Sequence, residues 1–221
     1  MIVFLLLLIA PVIGAQEVVS AEKFLQSVSD AFGKIKDLEA TISWTQGKSG
    51  TWTGNLSYKN PVYLRIDFTS PRGQVLAMDA EQLTIYVPSY DVVMTQKFKR
   101  RSEGQLLDLM SAKGLSTLQR NFSVSYLSGP SMVPLEDGSR EQVWKLKLTP
   151  TTASTGYKSM VISITKDYLY RRIEGTRTDG ESDSLDFTGV RVNQNLPDAR
   201  FRYDPPPTAN VIPDMLFDAQ E

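Results

Sequence analysis

KNPVYLRIDFTSPRG, residues 59–73, decides how the chain must be read. Pro61 and Pro71 bracket a run in which Val62, Leu64, Ile66 and Phe68 fall on one face, with Tyr63, Arg65 and Asp67 on the other. Strict alternation is the mark of a strand with one apolar and one polar side. The apolar side must lie against the protein's own core or against something the protein holds.

The same pattern extends in both directions. Upstream, Thr51–Lys59 puts Trp52, Leu56 and Tyr58 on one face, and Thr51, Thr53, Asn55 and Ser57 on the other. Before it, the turn signal Gly47-Lys48-Ser49-Gly50 separates a strand at Glu39–Gln46. Downstream, strands are expected at Gln74–Met78, Leu83–Val87, Val92–Phe98, Phe122–Leu127, Gln142–Leu148, Tyr157–Thr165, Leu169–Thr176 and Ser184–Val192. Ser128–Gly138 reads as a loop. The tail after Asp204, with Pro205-Pro206-Pro207 and Pro213, reads as extended; it either adds a strand or stays disordered. Two helical patterns stand out. Ser20 caps a run in which Phe24, Leu25, Val28, Ala31, Phe32 and Ile35 recur at helical spacing, and Ser102 opens a shorter one that Gly114 ends.

The expected fold class is therefore mainly β (α+β): one antiparallel sheet of about ten to eleven strands, with a helix before it and a helical lid interrupting it. So large an amphipathic sheet must twist, curl or close. Curled with its apolar face inward, it becomes an unclosed half-barrel. Two or three short helices are too little to fill it, which leaves an apolar cavity.

Composition narrows the function. The chain has 221 residues and formal net charge −1, so nothing suggests a nucleic-acid partner. Zero cysteines and zero histidines exclude disulfides, thiol nucleophiles and Ser-His-Asp chemistry, and remove the commonest metal ligands. Asp179, Glu181, Asp183 and Asp186, around Gly180, read as a solvated turn rather than a catalytic carboxylate pair. At the N-terminus, the apolar run Ile2–Ile13 is too short to span a bilayer comfortably. With Gly14-Ala15-Gln16 it reads as a signal peptide, residues 1–15, cleaved after Ala15. Residues 16–221 then form one domain, with an extended tail at 204–221. No cysteine stands at the cleavage site to receive a lipid anchor, so the exported chain is expected in the periplasm.

The chain resembles the periplasmic lipoprotein carriers of the LolA family. The resemblance rests on ATISWTQGK; on GNLSYKNPVYLRIDFTSP, with Pro61, Leu64, Arg65 and Pro71 at the family's spacing; on VLAMDAEQLTIYVPSYDVV, with Asp79, Leu83, Tyr86 and Pro88; and on the closing LPDARFRYDPPPTANVI, with Phe201, Tyr203, Pro205 and Pro206. It implies an unclosed barrel with a helical lid over an apolar cavity. It implies a monomeric carrier, without cofactor or catalysis, that takes lipoprotein acyl chains from an inner-membrane ABC transporter to an outer-membrane acceptor. Two departures stand out: Asn60 occupies the position where relatives place a lid-latching Arg, and Asp79-Ala80 replaces their Asp-Gly turn.

By periodicity alone, the apolar residues of these strands are plain core. The resemblance turns Trp52, Leu56, Tyr58, Leu64, Ile66 and Phe68 into expected cavity lining, with Met78, Met94 and Met160 as adaptable wall. Leu106, Leu107 and Met110 become the expected lid residues, and Arg65 and Asp67 are expected to face water or to pair across strands. A runner-up reading is a lipid- or lipoprotein-sensing envelope regulator with the same half-barrel. Such regulators carry a second domain, for which no room is apparent after Val192.

Overall fold

The computed structural model describes residues 19–97, 120–152 and 156–214. The expected signal peptide and the lid residues Leu106, Leu107 and Met110 lie outside the described residues.

Helix α1 spans Ala21–Phe32. The Ser20 hydroxyl accepts the Lys23 N–H at 3.3 Å, satisfying one of the donors that a helix start leaves open. Gly33 ends the helix, its N–H reaching the Ser29 carbonyl at 2.9 Å. The apolar stripe Phe24, Leu25, Val28 and Phe32 is buried, with Leu25 and Val28 at 0% exposure.

The strands are β1 (Asp37–Gln46), β2 (Thr51–Lys59), β3 (Tyr63–Ser70), β4 (Val75–Met78), β5 (Gln82–Val87), β6 (Val92–Lys97) and β7 (Phe122–Tyr126). They continue as β8 (Val133–Pro134), β9 (Gln142–Pro150), β10 (Tyr157–Ile164), β11 (Tyr170–Arg177), β12 (Ser182–Val192) and β13 (Asn210–Ile212). Eleven of them fall where alternation put them. The other two, β8 and β13, are short pieces inside the expected loop and tail, which raises the count among the described residues to thirteen.

The sheet runs β13-β6-β5-β4-β3-β2-β1-β12-β11-β10-β9-β7, with β8 beside β9, and its two ends do not meet. Every pairing is antiparallel except that of β13 with β6, where the chain returns over the back of the sheet and enters in parallel. Flat, the nine steps from β5 to β7 would span roughly 43 Å at about 4.8 Å each. Yet buried residues from β5 through β7 belong to one core with α1. The sheet is accordingly unclosed and curved around its apolar face.

The outer face is also covered, which the sequence reading missed. After β12 the chain turns where the buried Asp37 carboxylate accepts the N–H groups of Gln194 (2.6 Å), Asn195 (3.0 Å) and Leu196 (3.3 Å). A 3-10 turn at Asp198–Phe201 then lays Phe201, 2% exposed, against Tyr63 with ring centroids 5.5 Å apart. Beneath this C-terminal strap lie Ser57, Val75, Ala77 and Val93, all buried on the outer side of β2, β4 and β6.

Arg65 fastens the strap. Its Nη1 donates to the carbonyls of Arg202 (2.7 Å) and Arg200 (3.3 Å), while Nε and Nη2 grip the Asp67 carboxylate at 2.8–3.0 Å. Its guanidinium also lies over the Tyr203 ring, 5.7 Å from the centroid. The two charges, expected to face water or to pair across strands, thus pair along one strand in a fork that also holds backbone, because Arg offers donors in two directions at once.

Candidate functional site

The inner face is built from registered rows. One row runs Gln96–Leu83–Met78–Leu64–Tyr58–Leu38 across β6 to β1. All six are buried at 9% exposure or less. The next runs Met94–Ile85–Leu76–Ile66–Leu56–Ala40. Here Leu56 and Ala40 are buried, but Met94, Ile85, Leu76 and Ile66 stay partly exposed. These four apolar side chains come from four adjacent strands, so they form a continuous ribbon along the concave side.

A third row starts near the β1–β2 hairpin tip and crosses the other half: Trp52–Trp44–Leu185–Ile173–Ile162–Leu146–Tyr126. Exposure falls along it as far as Leu146, and Tyr126 at the sheet's edge is partly exposed again. Trp52, Trp44, Leu185 and Ile173 are partly exposed, whereas Ile162 and Leu146 are at 1% and 0%. The cause is α1. Phe24 packs on Trp144 at 4.9 Å, Tyr168 at 5.8 Å and Tyr126 at 5.9 Å, and Phe32 packs on Tyr170 at 4.7 Å. The helix therefore fills the β7–β11 half.

The structure brings all nine strand residues expected at the site onto this inner face. Tyr58, Leu56, Leu64, Met78 and Phe68 are buried there; Trp52, Ile66, Met94 and Met160 are partly exposed. Trp44, Leu76, Ile85, Ile173 and Leu185 share the face but were not singled out. Their signal was available, since Leu38, Ala40, Ile42 and Trp44 alternate along β1 as cleanly as the residues of β3. Met160 also borders an outer groove of about 570 Å³, whose lining includes Lys145, Glu174, Ser182, Asp183 and Ser184. That polar lining does not suit an acyl chain, so the concave ribbon is the candidate.

Burial raises the pKa of Tyr58 and Tyr170, keeping both phenols neutral on this face. Among the described residues the Tyr170 hydroxyl has no hydrogen-bond partner. The carboxylates clustered around Gly180 are engaged in turns and ion pairs. Asp179 closes its own turn by accepting the Glu181 N–H at 2.9 Å, and Glu181 pairs with Lys48 at 3.3 Å. Asp183 and Asp186 do not belong to a solvated turn as expected. Asp183 accepts the Tyr157 hydroxyl at 3.0 Å, and Asp186 takes both Arg171 and Arg172 at 2.7 Å. At the two departures, Asn60 is exposed and donates its backbone N–H to the Lys36 carbonyl at 2.8 Å. Asp79 makes the β4–β5 turn without glycine by accepting the N–H groups of Glu81 (2.8 Å) and Gln82 (2.9 Å).

An open, curved sheet whose apolar concave face is filled by one helix over β7–β11 and keeps a partly exposed apolar ribbon over β3–β6, among the described residues, defines a half-barrel with an apolar inner face. The chain belongs to the LolA family: a sequence model of "Outer membrane lipoprotein carrier protein LolA" matches residues 41–204. It is 26% identical over 215 residues to an outer-membrane lipoprotein carrier protein of Pseudomonas putida, covering 94% of this chain and 97% of that one. To the protein of the same description from Cupriavidus necator it is 27% identical over 194 residues, covering 86% and 85%. Among solved structures, a conserved protein from Thermus thermophilus superposes with a TM-score of 0.56 at 17% identity, over 85% of this chain and 98% of that one. The Pseudomonas aeruginosa MucA/MucB complex gives 0.54 at 12%, over 83% of this chain and 61% of that one. These likenesses in structure establish the fold.

Proposed function

We propose that this chain carries lipoproteins between two membranes by sheltering their acyl chains on its concave face. The observation that carries the reading is the ribbon Met94–Ile85–Leu76–Ile66, apolar, continuous and partly exposed inside the curved sheet. Such a surface replaces the bilayer. Each methylene removed from water contributes about 0.8 kcal/mol, so a sixteen-carbon chain is worth about 12 kcal/mol, too much to cross water unprotected.

Family membership and the apolar face together support a binding and transport role with no catalytic step. In this reading the chain is exported to the periplasm through residues 1–15 and acts as a monomer. It takes cargo from an inner-membrane ABC transporter and gives it to an outer-membrane acceptor. The lining comprises Trp52, Leu56, Tyr58, Leu64, Ile66, Phe68, Met78, Met94 and Met160, and Leu106, Leu107 and Met110 close over it. Thioether side chains suit a wall that must fit chains of varied shape and then release them.

The test is a charge in the ribbon. Leu64→Glu is a poor probe, because Leu64 is 4% exposed and an ionised carboxylate buried there costs stability as well. Ile66→Glu sits in the partly exposed row. Purified Ile66→Glu is expected to leave the unfolding midpoint near that of the parent while abolishing lipoprotein release from inner-membrane vesicles. Normal release by a folded Ile66→Glu chain overturns the assignment.

A further inference from the structure

The chain has three tryptophans, and they stand in two different situations. Trp144 lies under α1, and its indole N–H donates to the Pro130 carbonyl at 3.2 Å. Trp44 and Trp52 face each other across β1 and β2 with ring centroids 5.9 Å apart, and Trp52 meets Phe68 of β3 edge-on at 5.5 Å. This aromatic group stands apart from the contiguous core around α1. Both indoles are partly exposed, and neither N–H has an acceptor among the described residues.

Two unpaired donors beside an apolar face are a specific chemistry. An indole has a large apolar body and one N–H that seeks an acceptor, and so it suits a boundary where hydrocarbon meets polar groups. In a fatty-acyl glyceride that boundary is the ester. Its carbonyls accept hydrogen bonds and donate none, and its chains continue as hydrocarbon. The row from Trp52 and Trp44 leads on through Leu185 and Ile173, and Phe68 adjoins Ile66 along β3, so apolar surface leaves the pair on both sides.

We infer that Trp44 and Trp52 form the site where the ester carbonyls of a lipoprotein's acyl-glyceryl anchor are held, with its chains running onto the concave face. The inference rests on the carrier reading and deepens it. It makes the hairpin tip the polar end of the cargo site and gives the indoles a role in telling ester lipids from plain hydrocarbon.

The experiment is a cycle of two ligands and two proteins. The ligands are a synthetic dipalmitoylglyceryl-cysteine peptide and its dihexadecyl ether counterpart, which lacks the carbonyls. The proteins are the full chain and Trp44→Phe/Trp52→Phe, which keeps aromatic area but removes both donors. The parent should bind the ester ligand roughly tenfold tighter than the ether, the worth of one or two neutral hydrogen bonds. The double variant should lose that preference, its affinity for the ester falling roughly tenfold further than its affinity for the ether. Equal binding of both ligands by the parent overturns the inference and leaves the carrier reading intact; so does an equal loss for both ligands in the variant. Binding of neither ligand by the parent overturns the carrier reading as well.

Fluorescence gives a second readout that keeps both indoles of the pair in place. In Trp144→Phe all emission comes from the pair. A peptide brominated beside its ester carbonyls should quench that emission more than one brominated at the chain ends; the reverse order overturns the inference. Brominated phosphatidylglycerol vesicles that quench as strongly as the peptide overturn the choice of a lipoprotein anchor in favour of a membrane surface.

Discussion

The two halves of the inner face are made by the same alternation but end differently. In the β7–β11 half, α1 brings Leu25 and Val28 to 0% exposure, with Leu146, Leu148 and Ile164 equally closed. In the β3–β6 half, Ile66, Leu76, Ile85 and Met94 line up with the same period and remain partly open. The outer faces differ less. The loop bearing Leu135 covers Val143 behind the first half, and the C-terminal strap covers Val75, Ala77 and Val93 behind the second. An open inner face is therefore not a weak region. It is a strand layer braced from behind, with a front ribbon that is partly exposed among the described residues.

This contrast can be broken or sharpened by substitution. The largest effect is expected in the filled half: Leu146→Ala should cost about 3 kcal/mol, read as a shift in urea midpoint, because α1 leaves a fixed cavity there. A cost below about 1 kcal/mol would mean that the half packs no more tightly than its neighbour. Next, Arg65→Ala removes the fork that holds the strap and should cost about 2 kcal/mol. Cleavage by trypsin after Arg200 and Arg202 should speed up with it; an unchanged cleavage rate would show that β13 and Phe201 suffice as the brace.

In the open half, Ile85→Ala should cost only about 1 kcal/mol, since little area is closed there. The same change should weaken acyl-peptide binding, which Leu146→Ala should not. If Ile85→Ala destabilises as much as Leu146→Ala, the distinction between the halves fails.

The smallest effect concerns Tyr170, whose buried hydroxyl is unpaired among the described residues. Burial raises its pKa above the ordinary 10.0. The stability tied to the neutral phenol is therefore complete below pH 10 and is lost as the pH rises beyond it, because only the unfolded chain ionises easily. Tyr170→Phe should gain up to about 1 kcal/mol at neutral pH and flatten the alkaline loss measured by denaturant titration. An unchanged alkaline slope would place the titration elsewhere.

Much of this was legible along the chain. Ser20 and the Phe24–Phe32 stripe marked α1, and eleven strands fell within a few residues of their alternating runs. The nine expected lining residues of the strands share one face, because a period of two leaves no other choice once the register is set. The back of the sheet was not legible in the same way. Arg65 and Asp67 read as charges facing water or pairing across strands, and Pro205–Pro207 as an extended tail. A hint existed in β4: Val75, Leu76, Ala77 and Met78 are apolar on both faces, as in strands covered on both sides. Which segment supplied the cover, 120 residues or more further on, no local pattern could say.

The sequence by itself determined the elements, the apolar face and the family, because period, turn residues and caps act over a few residues. Tertiary structure decided which half of that face α1 would fill, and that the strap would lock onto Arg65. It also decided which tryptophans would keep an unpaired N–H. Those outcomes depend on contacts between distant segments, where the same indole is a packed residue under a helix or an open donor at a hairpin tip.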